Sequence, residues 1–218
     1  PKTDYGLGDT VSLLHIGRFD EQKNHAGLLQ AFAKLLKTHP NCCLNLLGDG
    51  HLRADMENYA RELGIGHAVR FLGNQADVHP YLHDADIFLL PSKYEGMPMT
   101  IIEAMGTGLP IVASRVGGVP DMLRDGESGL LTGCDPGEVC AACEKLIDSE
   151  ELRKLYVNLL ATSMDRERRD GAHPSFVNLI GQMTPDEAKI MAWFAAREGR
   201  DYIPIVDLRL VKTDEVIK

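Results

Sequence analysis

No stretch of this 218-residue chain approaches the roughly 18 consecutive apolar residues of a spanning helix, and no signal peptide opens it. A helical membrane protein is excluded, and the expected location is cytoplasmic. An excess of basic residues is also missing. With 23 Lys and Arg against 32 Asp and Glu, the formal charge is -9 and the pI about 5.3. A general nucleic-acid or anionic-membrane surface needs clustered cations and is excluded with it. The 5 cysteines form an odd set, and Cys140 and Cys143, at i,i+3 in an apolar helical stretch, have no second pair and no partner His near them in sequence. Buried, reduced thiols are expected, and no metal site. The 8 histidines make neither an HExxH motif nor a triad, and no nucleophile stands beside a base. Gly48-Asp49-Gly50 lacks the third glycine of the dinucleotide fingerprint and reads as a strand-to-helix turn.

What is present is a 44% apolar composition, that of a globular chain with a sizeable core, and a repeated unit. Short apolar runs bounded by Gly or Pro (VSLLHIG, CCLNLLG, AVRFLG, DIFLLPS and PIVAS) alternate with segments whose apolar residues recur at helical spacing, such as Leu28, Leu29, Phe32, Leu35 and Leu36. At least five such units predict a parallel sheet covered on both faces, and the right-handed crossover rule makes it α/β, a Rossmann-like doubly wound layer. Residues 1–10 read as a linker and 11–165 as the domain. Two helices are expected from Asp135 to about Met164. After a charged break near Arg166 to Asp170, residues 172–218 read as a short α+β extension. There Thr184-Pro185-Asp186-Glu187 has the capping-box form ahead of a helix, and a run containing Pro204 reads as an edge strand.

In open parallel sheets ligands bind at the carboxyl ends of the strands, and the polar signals fall there. After the first strand come Gly17, Arg18 and, five residues on, Lys23. A guanidinium and an ammonium at the two ends of one loop suit a diphosphate; they also suit a solvated loop. After the fourth strand, the loop Ser92 to Pro98 runs into a helix. Gly96 would let the backbone pass close to a ligand, and amides near Gly96, Met97 and Met99 would form an anion site aided by the helix dipole. Glu95 stands at the mouth of that loop and Glu103 is expected two turns inside the helix, both able to face one crevice. Such a pair can serve glycoside hydrolysis as acid and base. Beside Arg18, Lys23 and a helix start, the two read better as hydroxyl clamps, with a surface Glu95 and an Arg-paired Glu103 as the structural alternative. Asp84-Ala-Asp86 has a metal-binding form but falls at a strand start, away from the ligand edge.

The stretches LLHIGRFDEQKN, LLGDGHLR and FLGNQADVHPYLHDADIFLLPSKYEGMPMTIIEAMGTGLPIVASRVGGVPDMLRDGESGLL together resemble the C-terminal, donor-binding half of GT-B glycosyltransferases of family 4, over roughly residues 11 to 164. Glu95 and Glu103 match the family's Glu-x7-Glu pair, and Gly17, Arg18 and Lys23 its GR-x4-K element. The resemblance implies a retaining, metal-independent transferase without a cofactor, whose donor substrate is a nucleotide-diphosphate sugar used in polysaccharide, lipopolysaccharide or glycolipid assembly. By the same resemblance, Arg18 and Lys23 hold the diphosphate and Glu95 the sugar hydroxyls, joined by amides around Gly96 and Met97, with Pro98 and Met99 also among the donor-binding positions. Glu103 holds the ribose, and the base lies against Gly73, Asn74 and Gln75.

Two features depart from that pattern. Met97-Pro98 replaces a common Phe-Gly, which shifts the donor pocket, and Asp121 stands where Glu is common, at a structural position. The acceptor-binding N-terminal half of a GT-B enzyme is not in the sequence, which opens on Pro1. This implies an incomplete enzyme whose sugar or lipid-linked acceptor, and any peripheral membrane contact, belong to the absent half. The stretch from His173 to Val211 resembles an unrelated family of uncharacterised bacterial proteins, Abi-alpha, as a fusion or a divergent terminus would. Three functions therefore stand: a donor domain of a retaining hexosyltransferase, a non-catalytic nucleotide-diphosphate-binding or interaction module, and a nucleotide-sugar epimerase. The Glu-x7-Glu pair favours the first over the third.

Overall fold

The structure, a computed structural model, describes residues 10–126 and 128–149. The expected linker, the second of the two helices after Asp135 and the whole of 172–218 lie outside these residues, with the capping box and the edge strand. Six parallel strands alternate with six helices: β1 (Val11–Ile16), α1 (His25–Thr38), β2 (Cys42–Leu47), α2 (Arg53–Glu62), β3 (Val69–Gly73), α3 (His79–Asp84), β4 (Ile87–Leu90), α4 (Met99–Thr107), β5 (Ile111–Ser114), α5 (Val119–Met122), β6 (Leu130–Thr132) and α6 (Pro136–Asp148). The sheet order is β3-β2-β1-β4-β5-β6. The expected doubly wound α/β sheet is present with one more strand than the five apolar runs predicted. β6 has only 3 residues, too few for a pattern, and is held by register with β5 from Val112↔Leu130 to Ser114↔Thr132.

Strand burial follows position in the sheet. β4 (IFLL) and β5 (IVAS) are buried at every residue, as strands covered on two faces must be, whereas edge strand β3 has one buried residue. On one face α1 contacts α2 and α6, and on the other α3 contacts α4. The α1 stripe of Leu28, Leu29, Phe32 and Leu35 is buried against β1, β2 and α6, each side chain contributing about 1.5–3 kcal/mol by its removal from water. α6 opens on Asp135, whose carboxylate accepts from the Gly137 and Glu138 amides at 2.7 and 3.3 Å, with Pro136 in the first turn. α4 stops at Gly108, which takes the left-handed conformation at φ 76°.

All five thiols are free. Cys42, Cys140 and Cys143 are buried as expected, and burial pushes the Cys42 thiol up to about 11 and the Cys143 thiol higher still. Cys43 and Cys134 are only half-buried, so the expectation of five core thiols fails for these two. Cys134 follows β6 at the ligand edge, where Sγ lies 3.3 Å from the Ser92 carbonyl. Asp86 serves structure, as expected: its carboxylate accepts the Ser12 amide at 2.8 Å where β1 and β4 begin.

Candidate functional site

The order β3-β2-β1-β4-β5-β6 reverses direction between β1 and β4, and the crevice outside the carboxyl ends of those two strands is where such sheets bind ligands. The β1–α1 loop (17–24) and the β4–α4 loop (91–98) meet there. Lys93 donates its amide to the Gln22 carbonyl at 2.8 Å, and Asn24 its side-chain amide to the Pro91 carbonyl at 3.1 Å. Asn24 is thereby drawn away from capping α1 and sits in the left-handed region at φ 55°, where asparagine is tolerated better than most residues.

Lys23 and Glu95, 72 residues apart in sequence, make the central contact: Nζ lies 2.6 Å from Oε1, and the side chains are only 16% and 5% exposed. The other carboxylate oxygen of Glu95 accepts from Gln22 Nε2 at 3.3 Å. Gly17 lies under the lysine stem, since a β-carbon there would fall 3.1 Å from Lys23 Cδ and 2.9 Å from His15 Nε2. Arg18, at the loop's other end, behaves differently. Its side chain is 75% exposed and tied through Nε to Asp20 at 2.8 Å, leaving the guanidinium at the mouth of the crevice. The two cations expected to act as one pair thus occupy unequal places, one buried on a carboxylate and one in solvent.

Two glycines that the sequence left without a functional role hold Glu95 from behind. At Gly117, with φ 52°, a β-carbon would stand 1.7 Å from the Glu95 carbonyl oxygen. Gly118 donates its amide to the Gly96 carbonyl at 3.1 Å. Gly96 itself is open: nothing in the structure lies within 4 Å of a β-carbon built on it. Internal packing among the described residues therefore does not require glycine there. After half-buried Met97 and buried Pro98, α4 starts at Met99 with no side-chain cap and no acid in its first turn. The first-turn amides and the dipole are left to favour an anion.

Glu103 is the fifth residue of α4, so it sits just over one turn inside and not two, because the helix begins only at Met99. Among the described residues no arginine pairs with it, and its half-buried carboxylate has no hydrogen-bond partner. Burial holds its pKa above the usual carboxylate value, with the charge of nearby His79 pulling the other way. His79 is fixed through Nδ1 to Asp77 at 2.9 Å. α3 therefore sets Glu103 beside the β3–α3 loop, the expected base segment. There Gly73 has φ 70°, Asn74 is exposed and Gln75 Nε2 donates to the Leu72 carbonyl at 2.6 Å.

Below the crevice lies a buried aromatic cluster that sequence reasoning missed. His15 Nδ1 faces the Leu89 carbonyl at 2.8 Å, and its Nε2 is unpartnered. His25 stacks on Phe19 with ring centroids 3.9 Å apart, and neither of its nitrogens has a partner. Burial lowers His15 to about 4 and His25 to about 2, so both are neutral imidazoles at pH 7. Among the described residues no cluster of three or more His, Cys, Asp and Glu could hold a metal ion, and no helix is long and apolar enough to cross a membrane.

A six-stranded parallel sheet with its switch point at β1/β4, lined there by a cation–carboxylate pair and an uncapped helix start, defines the class of doubly wound, Rossmann-like domains. Within that class the chain belongs to the group 1 glycosyltransferases, whose family profile, described as "Glycosyl transferases group 1", matches residues 6–159. The profile described as "Abortive infection alpha" matches residues 135–217, more than the stretch recognised in sequence, and overlaps the first across α6. The lipopolysaccharide core biosynthesis glycosyltransferase LpsE of Rhizobium meliloti is 36% identical over 146 residues, covering 66% of this chain and 42% of LpsE. The chain thus spans less than half the length of that relative. The fold matches the C-terminal domain of a group 1 glycosyltransferase (LpcC) from Francisella tularensis, with TM-score 0.63, 21% identity, and coverage of 67% of this chain and 80% of that one. It also matches HepE of Anabaena, solved in complex with UDP-glucose, with TM-score 0.64, 22% identity, and coverage of 75% and 48%.

Proposed function

We propose that residues 11–165 bind a nucleotide-diphosphate sugar as the donor half of a retaining, metal-independent glycosyltransferase in polysaccharide, lipopolysaccharide or glycolipid assembly. The observation that carries this is the Lys23–Glu95 ion pair at the switch point, beside the uncapped start of α4. Three positive elements converge on the crevice: Arg18 in solvent, Lys23 on its carboxylate, and the α4 amides. Together they suit a diphosphate, whose negative charge grows as the sugar departs with cation-like character, and preorganised donors stabilise that growing charge. A bound diphosphate draws the Lys23 ammonium from Glu95 to its own oxygens, and the freed carboxylate oxygen accepts a sugar hydroxyl. Glu103, without a partner, accepts the ribose hydroxyls, and the base lies along Gly73 to Gln75. A name among the relatives, lipopolysaccharide core biosynthesis, supports the acceptor class.

The acceptor, and any peripheral contact with a membrane, belong in this reading to a second domain facing the same edge. A second reading, in which the same crevice serves a non-catalytic nucleotide-diphosphate module, expects the same binding without transfer. Calorimetry of the 218-residue chain with UDP, GDP and ADP, each with and without a linked hexose, tests both. One base is expected to bind, and Arg18→Ala to weaken it. Binding of none sinks both readings. Transfer of sugar to an acceptor at ordinary enzyme rates by this chain alone would show that no second domain is needed.

A further inference from the structure

We propose that Gln22 is a positioning residue for Glu95, and through it for recognition of the donor sugar; this rests on the reading that Glu95 accepts sugar hydroxyls. Gln22 precedes Lys23 in the β1–α1 loop, and its side-chain nitrogen lies 3.0 Å from the Tyr94 carbonyl and 3.3 Å from Glu95 Oε2. Both partners can only accept, so the amide must present its NH2 to them, and its two N–H groups are used by two acceptors. The Gln22 backbone carbonyl in turn takes the Lys93 backbone amide at 2.8 Å. Three bonds therefore fasten one residue of the first loop to Lys93, Tyr94 and Glu95 of the other.

The Glu95 side chain is 5% exposed, so water does little to solvate its charge and each oxygen needs a donor. Lys23 supplies Oε1 and Gln22 supplies Oε2. The two donors differ in what they can do next. Lys23 ends in an ammonium on a flexible stem and can swing to a diphosphate. Gln22 cannot follow, because the Tyr94 and Lys93 bonds hold it to the β4–α4 loop. When Lys23 leaves, Gln22 keeps Oε2 in place, and Oε1 turns to the sugar with its direction already set. Phosphate binding and sugar recognition are thereby handed from one donor to the other across a single carboxylate.

The test is a double-mutant cycle read as the ratio of affinities for UDP-glucose and UDP, with the GDP–mannose and ADP–glucose pairs run in parallel to select the base. Gln22→Ala is expected to shift the ratio about fivefold against the sugar nucleotide, the net scale of one ordinary intramolecular hydrogen bond. Gln22→Met, of similar length but without a donor, should do the same and replaces the alanine variant if that fails to fold. In the Glu95→Ala background neither substitution should move the ratio further. An unchanged ratio in the single variants, or an equal shift in both backgrounds, overturns the assignment. A ratio that does not respond to Glu95→Ala overturns the sugar role of Glu95 and this inference with it, but leaves nucleotide binding standing. If no nucleotide binds the unmutated chain, the proposed function itself falls.

Discussion

At the scale of single residues, the unequal placement of Arg18 and Lys23 separates binding from stability. Arg18 is 75% exposed, so Arg18→Ala should leave the urea midpoint almost unchanged while weakening nucleotide-diphosphate affinity about tenfold. Lys23→Ala removes the partner of a carboxylate that is 5% exposed, and should cost about 3 kcal/mol of stability as well as affinity. Equal effects of the two variants on the midpoint would contradict this. The imidazoles beneath them make a second expectation. His15 and His25 have folded pKa values of about 4 and about 2, both depressed by burial below an unfolded value of about 6.5. The unfolded chain therefore binds more protons as pH falls. The stability these neutral rings permit is fully present above about pH 6.5 and is lost toward pH 4, at about 1.4 kcal/mol per pH unit for each ring. His25→Phe keeps an aromatic stack on Phe19, removes two unpartnered nitrogens, and should both raise the midpoint at pH 7 and flatten its slope below pH 6.5. A slope unchanged in that variant would show that His25 does not contribute it.

At the scale of elements, the site is made by loops held against one another, and two glycines distinguish holding from binding. Gly117→Ala places a β-carbon 1.7 Å from the Glu95 carbonyl oxygen in a residue at φ 52°. The β4–α4 loop must then move, with an expected loss of about 2 kcal/mol in stability together with loss of sugar-nucleotide binding. Gly96→Ala meets nothing within 4 Å, so its thermal midpoint should stay put while ligand affinity falls; a lowered midpoint would mean that Gly96 serves the fold. This division marks what could be read from sequence. Strands β1 to β5 were legible because each is an apolar run bounded on one side by Gly or Pro, and β6 was not, because at three residues it is held only by pairing with β5. Lys23, Glu95 and Glu103 were legible as charges near strand ends and by their spacing, but the pairing of Lys23 with Glu95 was not. Proximity across 72 residues comes from the adjacency of β1 and β4, which no local pattern encodes. Gln22 reaches the β4–α4 loop through its side-chain amide, and Gly117 and Gly118 lie against that loop's backbone, contacts across the fold that no local pattern announces. The depth of Glu103 was misjudged by a turn because Pro98 delays the start of α4 to Met99.

At the scale of the whole molecule, a chain of formal charge -9 is proposed to bind a diphosphate, which is itself an anion. The global field opposes the ligand, so attraction must be local and short in range. It comes from Arg18, Lys23 and the α4 amides, and their contributions respond to ionic strength differently. Arg18 is exposed, so salt screens its attraction over a Debye length of about 8 Å at physiological ionic strength. Lys23 is 16% exposed and the amides are fixed dipoles at contact distance, so both are screened far less. Raising salt from about 50 to about 500 mM should therefore weaken nucleotide-diphosphate binding by no more than the Arg18 contribution, about tenfold. Arg18→Ala should remove most of that dependence. Where the proposed seat binds without metal, these protein groups meet the charge that a divalent ion would otherwise neutralise. Affinity measured by calorimetry should accordingly be the same in chelator as in millimolar magnesium. A loss of binding in chelator, restored by magnesium, would move charge neutralisation from Arg18 and Lys23 to a metal–diphosphate complex and would leave the Lys23–Glu95 pair as a structural ion pair only.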